Sequence, residues 1–327
     1  MLDERGKMGL PETYEKTKPS IVAFTKKYSF FTEKELTPQN LSFDPIIGTG
    51  FVIDKNGIIA TNDHIAERLI KSEPNPLSRN GECHFNAMLF NITDKGLLPI
   101  HLEIIEVFQP KRYPTKMHCA PDKPDIAFVK VKAKDLPALE LDTSTLKAGI
   151  EVATAGFPMG TNALVATGKL GQISPTLQRG IISAVLPYQQ TLPHAYTINV
   201  MVQGGASGSP VFLPESGKVI GVLYSSLNDY NQLSGEGVLK DIELTKEGKA
   251  VESMQIKIKA KYAVPTNISY VIPSRDISGF FSELNSGDDF TLPSDTKTLD
   301  ELIASKDQEE MLPGQLPGTI WKIDLES

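Results

Sequence analysis

Apolar positions along the chain gather into short runs separated by Gly, Pro, Asn and Asp. They read SIVAFTKKY (20–28), GTGFVID (48–54), GIIATND (57–63), HFNAMLFNI (84–92), HLEIIEVF (101–108) and DIAFVKV (125–131). Further on come EVATAGFP (151–158), GIISAVLP (180–187), YTINVMV (196–202), SPVFL (209–213), KVIGVLYS (218–225) and ISYVIPS (268–274). These runs are too short for core helices and rich in β-branched residues, so they predict antiparallel strands of a barrel or sandwich. Helical spacing is confined to HIAERLIKS after Asn62, SRDISGFFSEL (274–284) and TLDELIASK (298–306). The expected fold is all-β, with two antiparallel six-stranded barrels packed as one unit.

The pattern also divides the chain. Residues 1–19 read as an N-terminal extension and residues 20–284 as one domain, with barrel one over about 20–140 and barrel two over about 141–284. Residues 227–262 interrupt the second barrel with a polar piece carrying its own alternating run, MQIKIKAKY, so a protruding hairpin is expected there. Residues 285–327 hold ten Asp or Glu against three Lys, and read as a flexible or loosely docked acidic tail.

Charge and composition narrow the function classes. Hydrophobic content of 40% and charged content of 22% fit a water-soluble globular chain. The net charge of −7 argues against non-specific nucleic-acid binding. No stretch approaches the roughly 20 apolar residues of a membrane helix, and MLDERGKMGLPETYEKTKPS lacks the apolar core of a signal peptide. The expectation is therefore a cytoplasmic protein without membrane or nucleic-acid partners, with a removed leader as the alternative. Cys83-His84 and His118-Cys119 invite a metal reading, but neighbours on a strand face opposite ways and do not converge on one ion. Two buried thiols and no metal or other cofactor are expected.

Three residues make a chemical set. His64, in IIATNDHIAERL, ends a strand and opens a helix, which puts its imidazole at a domain rim. Asp125, in PDKPDIAFVKV, stands immediately before an apolar strand, and Ser207, in GGASGSP, sits among small residues. Acyl transfer by serine needs a hydroxyl, a base about 3 Å away, and an acid that fixes the base's tautomer. It also needs oxyanion donors, for which the backbone amides of Gly205 and Ser207 are candidates. Each piece alone has a blander reading, as a capped histidine, a solubilising aspartate or an ordinary turn; their order and contexts together carry the weight.

The same stretches resemble chymotrypsin-fold serine proteases, and among them the HtrA/Deg group. GTGFVID followed by ATNDHI is similar to that group's G-[ST]-G-F-[IV]-I and T-N-x-H-V segments, and DIAFVKV to its D-[IL]-A-[VL]-[LI]-K-[VI]. AGFPMG is similar to its G-x-P-x-G turn, GIISA to G-I-[VI]-S-A, ISYVIPS to G-F-A-I-P-S, and GGASGSPVF to G-N-S-G-G-P-[LV]. The resemblance spans about residues 20–280. It implies His64 as general base, Asp125 as orienting acid, Ser207 as nucleophile, and the Gly205 and Ser207 amides as oxyanion hole. Two positions depart from the pattern. Ser209 stands where the group has glycine and is expected to point away from the cleft, and Ala206 replaces the acidic or amide residue before the nucleophile. Fewer than about 50 residues follow Leu284, so the PDZ domain common in the group is not expected.

The primary specificity pocket is expected from Met201, Val202, Tyr224, Ser225 and Ser226. Met201 takes the base position where a carboxylate would select Lys or Arg, so cleavage after small to medium apolar residues is expected. The partner is then a protein or peptide substrate, bound by β-addition along 224–226. Alternatives are a latent cytosolic effector awaiting a regulatory partner or a cleavage, and a catalytically silent module. The sequence leaves the oligomeric state open.

Overall fold

Both side-chain parities of most strands are apolar, so each sheet has to bury both of its faces. The computed structural model describes residues 9–28, 46–70, 83–93, 96–111, 123–158, 174–187, 192–202, 204–246, 249–285 and 291–309; for 26–28, 83–84, 92–93, 96–97, 228–265, 285 and 306–309 it describes the backbone alone. The first half forms an antiparallel sheet from β1 (Ile21–Tyr28), β2 (Ile46–Asp54), β3 (Ile58–Thr61), β4 (Cys83–Thr93), β5 (Gly96–Leu102), β6 (Ile104–Phe108) and β7 (Ala127–Val131), in the order β5-β4-β1-β2-β3-β7-β6. The second half closes into a six-stranded barrel of β9 (Glu151–Gly156), β10 (Thr176–Leu186), β11 (Ala195–Ile198), β12 (Pro210–Phe212), β13 (Val219–Lys246) and β14 (Lys249–Pro273).

The first sheet departs from the expected count of six because the run 101–108 breaks at Glu103. Its two pieces, β5 and β6, lie at opposite ends of the strand order, although one residue joins them. A one-residue link spans only about 3.8 Å from each Cα to the next. The sheet therefore curls until its two edges meet at Glu103, as a strand does at a barrel corner. A seven-piece hydrogen-bonded order and a six-stranded barrel outline describe the same object.

Three cores follow from the alternation. Val22, Phe24, Val52, Ile59, Leu89, Ile100 and Val129 fill the interior of the first sheet. Val152, Ile182, Tyr196, Ile198, Val211, Leu223 and Val271 fill the second barrel. The opposite parities, Ile21, Ala23, Phe51, Ala60 and Phe128 from one half and Ala153, Ala155, Phe212, Val222 and Ile272 from the other, share the core between them. That shared core holds the two halves face to face.

Several segments wrap this body. Helix α1 (Leu10–Thr17) forms within the stretch read as an N-terminal extension; Leu10 and Tyr14 pack on the shared core, and the Tyr14 hydroxyl donates to the Pro175 carbonyl. Helix α2 (Asp63–Ile70) follows β3, and α3 (Ser274–Asn285) follows β14 directly. Beyond the barrel, β13 and β14 stay paired as one long hairpin out to Lys246 opposite Lys249. Within the acidic segment, β15 (Lys297–Thr298) pairs in parallel with β8 (Ala133–Lys134), and α4 (Leu299–Glu309) sets Leu299, Leu302 and Ile303 against the first-sheet core. Lys132 meets Asp295 at 2.5 Å, and the buried Lys130 donates to the Thr291 carbonyl. Among the described residues no helix is long and apolar enough to cross a membrane.

Candidate active site

His64 is the second residue of α2, and its N–H is one of the amides that a helix start leaves without an intrahelical partner. Asp125 supplies the acceptor. Its Oδ1 takes the His64 backbone N–H at 3.0 Å, and the same carboxylate meets the ring Nδ1 at 2.8 Å through Oδ2 and 3.1 Å through Oδ1. Asn62, wholly buried, donates from Nδ2 to the Asp125 carbonyl at 2.9 Å and fixes the backbone that carries the carboxylate. The pair is partly solvated, with side-chain exposures of 44% and 28%, so its ionic contribution to stability is at most about 1 kcal/mol. Its value lies in orientation: a carboxylate on Nδ1 leaves Nε2 as the free ring nitrogen.

Asp63, beside His64, is engaged elsewhere. It is 6% exposed, accepts from Gln109 Nε2 at 2.7 Å, and pairs with Lys123 at 2.5 Å. Lys123 lies two residues before Asp125, so this bridge ties the loop bearing Asp125 to the helix bearing His64. The Lys123 ammonium is held above its ordinary pKa, first by the hydrogen bond to Asp63.

Ser207 lies on the loop between β11 and β12. Gly205 has φ +94° and Gly208 φ +86°, left-handed conformations that glycine adopts without strain. Gly208 also has to be small: a Cβ there would run into the Thr49 carbonyl oxygen and Thr61 Oγ1. The loop thus packs against β2 and β3, three residues ahead of His64. Neither the Gly205 nor the Ser207 amide donates to another group among the described residues, which leaves both N–H groups open to an anion. Ser207 Oγ makes no hydrogen bond to the imidazole among the described residues; such contacts are often long before substrate binds. Ser209 is 1% exposed and donates from Oγ to the Ala206 carbonyl at 2.6 Å. The room for this extra side chain comes from Gly156, where a Cβ would collide with Ser209 Oγ.

Residues 48–222 match the family of the trypsin-like peptidase domain. The chain belongs to this family. Relatives include the "Probable periplasmic serine endoprotease DegP-like" of Halomonas elongata, 30% identical over 177 residues, which are 54% of this chain and 28% of that protein. The mitochondrial serine protease HTRA2 of Drosophila willistoni is 23% identical over 200 residues, covering 61% and 36% of the two chains. The chain thus spans under a third of the length of the DegP-like relative it matches. Solved structures that resemble it include the HtrA-type protease AlgW with a decapeptide, at TM-score 0.49 and 16% identity over 86% of this chain and 69% of that one. Another is the serine endoprotease from Yersinia pestis, at TM-score 0.46 and 16% identity over 85% and 66%.

The candidate pocket residues of this trypsin-like peptidase domain fall in two groups. Met201 is 43% exposed, whereas Val202, 6% exposed, packs with Val200 and Ala206 inside the second barrel and adds little to a pocket wall. The Tyr224 ring lies tilted against that of Tyr270, with centroids 6.0 Å apart; burial raises its phenol pKa first, with Tyr270 and the Asp125 charge adding to the rise. Ser225 and Ser226 pair with Tyr270 and Ser269 on β14, and past Leu223 the other edge of β13 has no strand partner among the described strands. Asn62 and Thr49 were not singled out as site residues, although both stand inside the quoted motifs. Among the described residues no group of His, Cys, Asp or Glu is placed to hold a metal ion; His118 and Cys119 lie outside them.

Proposed function

We propose that this chain is a serine endopeptidase that cleaves extended polypeptides through His64, Asp125 and Ser207. The observation that carries this reading is the two-point grip of Asp125 on His64 Nδ1, at 2.8 and 3.1 Å. With Nδ1–H donating to the carboxylate, Nε2 is the basic nitrogen. It takes the proton of Ser207 Oγ as that oxygen attacks the substrate carbonyl, and the Gly205 and Ser207 amides receive the oxyanion. The imidazolium, steadied by Asp125, passes the proton to the departing amine and leaves an acyl-enzyme. Water then enters by the same route in reverse, and Ser207 is regenerated.

The open edge of β13 at Tyr224–Ser226 offers main-chain donors and acceptors to an extended substrate. Exposed apolar side chains flank it: Leu227 continues the strand, Ile268 is on the paired strand, and Met201 precedes the nucleophile loop. This supports recognition of apolar side chains beside the scissile bond.

The test is labelling of the folded protein with a fluorophosphonate, followed by peptide mapping. An adduct on Ser207 that persists in Ser209→Ala and disappears in Ser207→Ala and His64→Ala is the expected result. An adduct on Ser209 overturns the assignment. The missing Ser207–His64 hydrogen bond favours a second reading, a latent form, and absence of any adduct on folded protein would select it.

A further inference from the structure

The oxyanion donors belong to a loop whose peptide planes are pinned one by one. The plane joining Ala206 to Ser207 is held through the Ala206 carbonyl, which accepts from Ser209 N at 3.0 Å and Ser209 Oγ at 2.6 Å. The plane joining Ser207 to Gly208 is held at both ends: Thr49 N donates to the Ser207 carbonyl at 2.9 Å, and Gly208 N donates to the Leu223 carbonyl at 2.8 Å. The plane joining Gly205 to Ala206 rests on one side chain, because Thr49 Oγ1 lies 2.7 Å from the Gly205 carbonyl. Beyond it comes the plane that carries the Gly205 N–H, the outermost oxyanion donor. Only the glycine torsions separate that plane from the Thr49 contact.

The direction of the Thr49 hydroxyl follows from its partners. Phe157 N–H, at 3.2 Å, can only donate, so Thr49 Oγ1 accepts there, and its single proton is left for the Gly205 carbonyl. Thr49 is wholly buried in the middle of β2, opposite Ala23 on β1, and its own carbonyl accepts from Thr61 Oγ1 at 2.7 Å. Every polar group of this residue is therefore used, and the contacts run from the first sheet to the end of β9 and to the nucleophile loop. A hydroxyl so constrained is a fixed post rather than a rotor.

We propose that Thr49 is a positioning residue for the oxyanion hole: its hydroxyl, from the opposite sheet, sets the orientation of the Gly205 amide across the cleft. The proposal rests on Ser207 being the nucleophile. It deepens that reading by making the rate of the second barrel's loop depend on a first-sheet side chain. Valine matches threonine in shape and lacks the hydroxyl, so Thr49→Val leaves both Phe157 N–H and the Gly205 carbonyl unpaired and frees the Gly205 peptide to turn. Serine keeps the hydroxyl.

The experiment compares Thr49→Val, Thr49→Ser and Thr154→Val, all well below their melting temperatures. Thr154→Val is the stability control: it also removes one buried hydroxyl bond, from Thr154 Oγ1 to the Pro210 carbonyl at 2.9 Å, at the start of β12 and beyond the pinned peptide planes of the loop. In Thr49→Val, kcat and the rate of fluorophosphonate labelling fall about 10- to 100-fold, below the ~10²–10³ of losing a donor outright, with KM within about two-fold. Thr49→Ser recovers to within about three-fold, and Thr154→Val labels at the wild-type rate. Independently of turnover, the Gly205 amide resonance in glycine-labelled protein shifts or broadens in Thr49→Val and stays in place in Thr154→Val. A folded Thr49→Val protein that keeps the Gly205 resonance unmoved, or labels as fast as wild type, overturns the proposal. A wild-type protein that takes its label on another serine overturns the nucleophile assignment alone, and the amide resonance still decides the role of Thr49.

Discussion

The two sides of the cleft are built by different means. On the first sheet, the His64–Asp125 pair is made of side chains: Asp125 grips the ring and the backbone of His64, Asn62 holds Asp125, and Asp63 with Lys123 ties loop to helix. On the second barrel, the Ser207 loop is made of main chain, held by carbonyls at Gly205, Ala206 and Ser207 and by two glycines at positive φ. A side-chain site loses function when a group is taken away. A main-chain site loses function when a group is added where the backbone needs space. Substitutions on the two sides should therefore separate rate from stability in different ways.

The largest effect is expected on the side-chain side. Asp125→Asn keeps the shape and removes the charge that fixes Nδ1–H. The amide can present its NH₂ to the ring, which selects the wrong tautomer and leaves Nε2 protonated. A fall in kcat of about 10⁴-fold follows, with a melting temperature within about 2 °C of wild type because the pair is half-solvated. Steady-state kinetics beside a thermal melt checks both halves. A large stability loss together with the rate loss would show that the pair is structural.

The main-chain side should behave in the opposite manner. Gly208→Ala adds one methyl group at φ +86°, against the Thr49 carbonyl and Thr61 Oγ1. The left-handed backbone costs about 1–2 kcal/mol for a residue with a Cβ, and the overpacking adds about 1–3 kcal/mol. The loop relieves this only by moving away from β2, so rate and stability fall together, by about 10²-fold or more and about 2–5 kcal/mol. Equilibrium urea unfolding with kinetics on the residual folded fraction tests it. Wild-type stability with lost activity would mean that the loop shifts freely and is not wedged against Thr49.

This contrast also explains what could be read from the chain. Strands stood out because both of their parities are apolar and Gly, Pro, Asn or Asp bounds each run. His64, Asp125 and Ser207 stood out because each sits at a strand end inside a recognisable segment. The supports did not. Thr49 Oγ1 and the Gly205 carbonyl are 156 residues apart in the chain, and a threonine in a strand gives no local sign of which carbonyl it will meet. The break at Glu103 was invisible because one charged residue between Leu102 and Ile104 looks like the polar position of an alternating strand, as Glu106 does in the same run. The β15–β8 pairing is two residues long, too short for any period to show. Helix α1 carries its signal in one apolar pair, Leu10 and Tyr14, and a proline at its start, which is little against a polar background.

The smallest effect expected, and the finest probe of the side-chain half, is at Lys123. This residue touches neither the ring nor the acid, yet its bridge to Asp63 joins the segments that carry them. If the joint only fastens the loop, Lys123→Met lowers kcat by less than about three-fold and costs about 1 kcal/mol, the upper end for a surface pair, because the lysine is half-exposed while Asp63 is buried. The pH dependence identifies the source of that cost. A lysine whose pKa is raised in the folded state contributes stability that is fully present below the unfolded value of about 10.4 and is lost as pH rises through the higher folded value. The wild-type advantage should therefore be flat from pH 7 to 9 and shrink above about pH 10.5. An advantage unchanged at pH 11 would mean that the lysine acts through its hydrocarbon stem. A ten-fold or greater loss of kcat at unchanged stability would make Lys123 part of the orientation of His64, and the side-chain half would then extend one residue further from the chemistry than Asp125.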